Sequence, residues 1–176
     1  FTTEEIKKIW EIVEDVPFAD MILIEIYTGF RPIEMAEIKN KNVHLDENYI
    51  IGGTKTQAGT DRIVPIHPEI KPLITKRYNS ENEFLFNDYN KLAHNVTPLT
   101  YDKYRNRFKK VMTYLDMSHT PHETRHTFIT CAKNCKINDY ILKRVVGHEI
   151  TDVTEKIYTH RNIEALIKEV NKIIFI

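Results

Sequence analysis

NVHLDENYIIGGTKTQAGTDRIVPI, residues 42–66, is the stretch that decides the fold. Its apolar and β-branched residues gather into three short runs, 43–45, 49–51 and 62–66. Turn-forming residues part them at Asp46-Glu47-Asn48 and at Gln57-Ala58-Gly59. Short runs with that punctuation predict three antiparallel strands joined by two tight connections. The flanking sequence is patterned for helix, so the expected fold class is mainly α with a small antiparallel three-stranded β-sheet inserted early.

On the N-terminal side, TTEEIKKIWEIV places Ile6, Ile9, Trp10 and Val13 on one helical face, and Thr2 with Glu5 makes a capping-box pattern. FADMILIEIYTG, 18–29, is apolar almost throughout and ends at Gly29, which predicts a helix at the centre of the core. RPIEMAEIK, 31–39, restarts a helix with Pro32 in its first turn. On the C-terminal side, HPEIKPLITKRY returns to helix, while FLF at 84–86 is too short to assign. A helix is expected from about residue 100, followed by four more helical pieces, PHETRHTFITCAKNCK, NDYILKRVVGHE, TDVTEKIYTH and RNIEALIKEVNKI. No repeat and no second domain is visible.

Composition narrows the class. The 176 residues suffice for one domain with a substantial core, and 41% apolar with 28% charged residues is ordinary for a soluble globular chain. No apolar run approaches the ~20 residues of a membrane span, so no membrane partner is expected. The first residue is Phe1, which suggests a piece of a longer protein. Cys131 and Cys135, four apart on one helical face, are the only cysteines; they build neither a disulfide framework nor a cysteine zinc site, and a reduced, cytoplasmic setting follows.

Net charge is zero, which at first disfavours a nucleic-acid partner. The distribution is uneven, however: residues 1–47 hold 5 basic and 11 acidic side chains, the remainder 20 and 14. The sharpest basic cluster is YDKYRNRFKK, 101–110, with Lys103, Arg105, Arg107, Lys109 and Lys110. On a helix, Lys103, Arg107 and Lys110 share a face suited either to a phosphate backbone or to solvent.

HETRH, 122–126, carries two chemistries. As His-Glu-x-x-His it puts His122 and His126 one turn apart as zinc ligands, with Glu123 as general base for a metallopeptidase. As His-x-x-Arg it pairs His122 with Arg125, whose fixed charge is an odd neighbour for a divalent metal and a natural one for a phosphate.

Four separated segments settle the choice. TGFRPIEMAEIK at 28–39, GGTKTQAGTDRIVPI at 52–66, PHETRHTFIT at 121–130 and LKRVVGHEITDVTEKIYTH at 142–160 resemble, in order, the motifs of tyrosine recombinases of the phage integrase family. The likeness runs from about Phe1 to about Asn171. It implies a catalytic domain spanning 1–176, the C-terminal part of a longer integrase, with the core-binding and arm-binding domains lying outside the chain. It places the catalytic residues on Arg31, Lys55, His122, Arg125, His148 and the nucleophile Tyr158. Glu123 replaces a common aspartate and Val146 a common leucine, neither of which touches the chemistry.

The implied roles follow from what a phosphodiester needs. Arg31 and Arg125 would clamp the nonbridging oxygens with rigid, permanently charged forks. Lys55, on the hairpin, would protonate the leaving 5′-oxygen, and Tyr158 would attack in line. His122 would relay a proton, and His148 would donate to the developing oxyanion. The implied partners are double-stranded DNA attachment sites and three further protomers in a synaptic tetramer, with the isolated domain a monomer; no cofactor and no metal is implied. Taken singly, each residue has an ordinary structural explanation. A DNA-binding module with vestigial catalytic residues is the alternative from another class.

Overall fold

The computed structural model describes residues 1–54, 59–149 and 163–176. Helix α1 (Thr3–Glu11) starts at the expected capping box, in which Thr2 Oγ1 accepts from the Glu5 N–H and the Thr2 N–H donates to Glu5 Oε2. Helix α2 (Ala19–Thr28) is buried over nine of its ten residues and stops at Gly29, whose left-handed φ of 64° caps it. Around it pack α1, α4 (Lys71–Arg77), α5 (Tyr101–Tyr114) and α6 (Pro121–Asn134). The central position of α2 is what its almost wholly apolar sequence predicted.

Helix α3 is shorter than its sequence suggests, Pro32–Ala36. The chain leaves the helix because residues 38–40 take up extended pairing: Leu85 N–H donates to Ile38 O at 2.8 Å, and Asn40 N–H to Glu83 O at 3.0 Å. That pairing gives 84–86 its structural role, with Leu85 and Phe86 in the core.

The three-stranded sheet forms as expected, β1 (Val43–His44), β2 (Tyr49–Gly52) and β3 (Arg62–Pro65), in the order β1-β2-β3 and antiparallel throughout. A second hairpin, β4 (Asn87–Asn90) with β5 (Asn95–Pro98), is absent from the sequence reading. NDYN and NVTP lack the apolar alternation that marks a strand, and the tip residue Leu92 is 96% exposed.

Helices α7 (Asp139–Val146) and α8 (Ile163–Val170) lie against β3. The segment TDVTEKIYTH, expected to be helical, lies outside the described residues, as do Lys55 and Tyr158. Beyond α8 the chain folds back on its own core: Ile173 and Phe175 are buried, and the Phe175 ring stacks on Tyr27 with centroids 3.9 Å apart. Among the described residues no helix is long and apolar enough to cross a membrane.

Candidate active site

The site is organised by the C-terminal end of α7. A helix leaves its last carbonyls without intrahelical donors, and the end carries partial negative charge. Here three consecutive carbonyls each accept from a different arginine. Val145 O accepts from Arg62 Nε at 2.8 Å, Val146 O from Arg125 Nη2 at 2.5 Å, and Gly147 O from Arg31 Nη2 at 3.4 Å. Gly147 makes the fan possible. Its φ of 68° turns the chain out of the helix, and a Cβ there would stand 2.7 Å from Gly59 Cα.

Each arginine comes from a different element. Arg31 is the N-cap of α3, Arg62 opens β3, and Arg125 lies in the second turn of α6. Arg125 is held from the other side by Gly29 O, the cap of α2, at 2.6 Å. Its position is thus fixed by two helix ends at once, and it is only 7% exposed.

Among the described residues, one carboxylate answers these three guanidiniums. Glu34, wholly buried, accepts the Arg31 N–H at 2.8 Å, Arg31 Nη1 at 3.1 Å, and Arg62 through Nη1 at 3.0 Å and Nη2 at 2.6 Å. Burial alone would raise its pKa, but the hydrogen bonds and charge of Arg62, with Arg31, hold it below the usual carboxylate range. Among the described residues, Arg125 bonds two carbonyls and pairs with no carboxylate. Desolvation first, then repulsion from Arg31 and Arg62, lowers its pKa to about 10, so it stays cationic at neutral pH. The cluster carries excess positive charge in a partly dehydrated setting, which suits an anion.

His148 follows Gly147 directly, exposed at the edge of the cluster. Partial desolvation, then the charges of Arg125 and Arg31, lower its pKa, which favours a neutral imidazole with one N–H donor. His122 is exposed on α6, one turn before Arg125 and on the same face. The structure therefore brings together Arg31, Arg125 and His148, with His122 alongside.

Glu123 does not behave as the zinc pattern requires. Its Oε2 accepts the Thr120 N–H at 2.6 Å and Thr120 Oγ1 at 2.9 Å, while His119 Nδ1 lies 3.0 Å from Oε1. The backbone bond from Thr120, then His119, lowers its pKa to about 2. It is a capping residue of α6, not a base held beside two imidazoles. His126 is exposed, and no group of three or more His, Cys, Asp or Glu among the described residues is placed to hold a metal ion.

The basic cluster divides. Lys103 Nζ lies 2.7 Å from Asp88 Oδ2, and Arg107 pairs with the other oxygen of Asp88 while stacking over Phe18, 3.9 Å from the ring centroid. Arg105 sits 3.5 Å from Asp102, whereas Lys109 and Lys110 are exposed on the outer face of α5. Sequence reasoning missed Arg62 and Glu34. The signals were present but faint: a charged residue opening the apolar strand RIVP, and a glutamate three residues after Arg31.

The phage integrase family model matches residues 1–165. The tyrosine recombinase XerA of Saccharolobus solfataricus is 29% identical over 152 residues, covering 85% of this chain and 48% of that protein. The fold is shared with the Tn1549 transposon integrase solved in complex with transposon right end DNA, at TM-score 0.68 and 21% identity over 98% of this chain and 65% of that one. It is also shared with a lambda integrase tetramer bound to a Holliday junction, at TM-score 0.65 and 18% identity over 87% of this chain and 47% of that one. The chain spans about half the length of the curated relatives it matches.

Proposed function

The chain belongs to the phage integrase family, and from that premise we propose that it cleaves and rejoins DNA strands as a site-specific tyrosine recombinase acting on attachment sites of a mobile element. The observation that carries this reading is the fan of three arginines on α7 with one carboxylate among them. A nonbridging phosphate oxygen pair is the anion whose charge and geometry two arginine forks match.

In this reading Arg31 and Arg125 hold the scissile phosphate. The Tyr158 oxygen attacks phosphorus, giving up its proton toward His122, and the bond to the 5′-oxygen breaks. Lys55 supplies the proton that oxygen takes. A 3′-phosphotyrosyl link and a free 5′-hydroxyl result, and attack by a partner strand's 5′-hydroxyl reverses the steps and exchanges strands. His148 donates its N–H to the charge building on the phosphoryl oxygens. The covalent link conserves the energy of the phosphodiester, so no ATP is required, and in this reading the arginine forks do the charge stabilisation that a metal ion would otherwise supply. The partners are duplex DNA and, in the synapse, three further protomers; the setting is the cytoplasm. The chain 1–176 acts as the catalytic domain of that assembly.

The test is covalent trapping on nicked duplexes tiled across the DNA flanking the coding region, with and without a chelator. The full-length protein is expected to form a denaturation-resistant adduct in both conditions, and Tyr158→Phe none. An adduct formed by the Phe variant would remove Tyr158 as the nucleophile.

A further inference from the structure

We propose that Arg62 is a positioning residue for Arg31, acting through Glu34, and that it ties the β2–β3 connection to the phosphate-binding cluster. The inference rests on the recombinase reading above. The Arg62 side chain is 4% exposed, and its hydrogen bonds all point inward: Nε to Val145 O, Nη1 to Glu34 Oε1 and Gly59 O, Nη2 to Glu34 Oε2. Four of its five N–H donors are thereby committed, so it is not offered to a substrate phosphate.

A buried ion pair is seldom needed for stability, since apolar groups of similar volume often serve as well. What the guanidinium provides here is geometry and charge division. Its fork fixes the plane of the Glu34 carboxylate, and that carboxylate bonds both the backbone and the side chain of Arg31. Glu34 Oε1 is shared between Arg31 and Arg62. With Arg62 present, one negative charge serves two cations, and Arg31 keeps charge for a phosphate. Without it, Glu34 would pair with Arg31 alone and neutralise it.

The surroundings are shaped for this arginine. A Cβ on Gly53, whose φ is 101°, would lie 2.0 Å from Arg62 Nη1 and 2.0 Å from Gly59 O. A Cβ on Gly147 would lie 3.1 Å from Arg62 Cδ. Two glycines at the two sides of the cluster thus leave the volume that the guanidinium and the loop carbonyl occupy. The bond to Gly59 O connects the end of the β2–β3 connection, which carries Lys55 in its sequence, to the same carboxylate that sets Arg31.

The experiment is single-turnover cleavage by full-length protein on the nicked duplex that the wild type traps best. Arg62→Met is expected to lower the rate at saturating DNA roughly 10- to 100-fold, the scale of a small misplacement of a reacting group, with the half-saturating DNA concentration little changed. Arg62→Lys, which keeps charge but not the fork, recovers only part of the rate and guards against a folding failure of the Met variant. Arg31→Ala combined with Arg62→Met is expected to be no slower than Arg31→Ala alone, because the two act as one unit. Adding Glu34→Gln to Arg62→Met restores part of the lost rate by removing the undivided charge. Losses that multiply in the double variant, a defect confined to DNA affinity, or wild-type rates in Arg62→Met would each overturn the proposal. A wild-type protein that traps no adduct would instead overturn the recombinase reading itself.

Discussion

Arg125 shows how much of the chemistry is decided by what surrounds a side chain. It is buried, faces two like charges, and is held by Gly29 O and Val146 O, neither of which cancels its charge. Replacing Arg125 or Arg31 with alanine is expected to slow adduct formation on the order of 100-fold or more, as when a transition-state donor is lost. Single-turnover trapping on the nicked duplex measures it. Gly147→Ala should fail differently. The left-handed φ and the 2.7 Å approach to Gly59 Cα disfavour any side chain there, so thermal unfolding should report a loss above about 1 kcal/mol, with cleavage falling in step. That Arg31, Arg125 and His148 would gather at one place could be expected from the sequence, because the motifs that carry them keep the family's order along the chain. The part played by Glu34 and Arg62 could not, because their pairing joins positions 28 residues apart and only burial reveals that the two answer each other.

At the scale of elements, α5 illustrates how a periodic pattern can mislead about purpose. Lys103, Arg107 and Lys110 share a face in sequence, yet Asp88 on β4 engages the first two, and Phe18 lies under Arg107. Arg107→Ala is therefore expected to lower the melting temperature, whereas Lys109→Ala and Lys110→Ala should leave it unchanged. Those two lysines should instead each reduce the salt dependence of duplex binding by about one unit of slope. Equal loss of stability in all three variants would contradict this division. The helices were legible because caps and 3.6-residue periodicity are local signals. The β4–β5 hairpin was not: its strands are mostly polar, and its place is set by Asp88 and by the Leu99 N–H bonded to Phe86 O. The early end of α3 escaped because the competing pairing partner lies 47 residues away (Leu85 to Ile38).

For the molecule as a whole, pH should act in two opposite senses. Glu25 is fully buried in α2, where Tyr104 donates to it, and desolvation raises its pKa well above the ordinary 4.5. The folded chain keeps that proton when the unfolded chain has released it, so stability declines as pH rises beyond about 4.5. Glu5 and Glu123 are lowered to about 2, chiefly by backbone hydrogen bonds from Thr2 and Thr120; their contribution is present above 4.5 and is lost as pH falls toward 2. Glu25→Gln should flatten the decline in melting temperature as pH rises above about 4.5, and an unchanged slope would refute the assignment. The fan of carbonyls on α7 carries a consequence for how such a chain can change length. Each residue of an α-helix turns by about 100° and advances ~1.5 Å. One residue inserted or deleted within α7 would send Val145 O, Val146 O and Gly147 O to new bearings and cost each of the three arginines its acceptor on that helix end at once. Insertions at the exposed tip around Leu92 would leave that bearing untouched. Length variation among descendants of this sequence should therefore collect in the hairpin tip, and the count of residues through α7 to His148 should stay fixed.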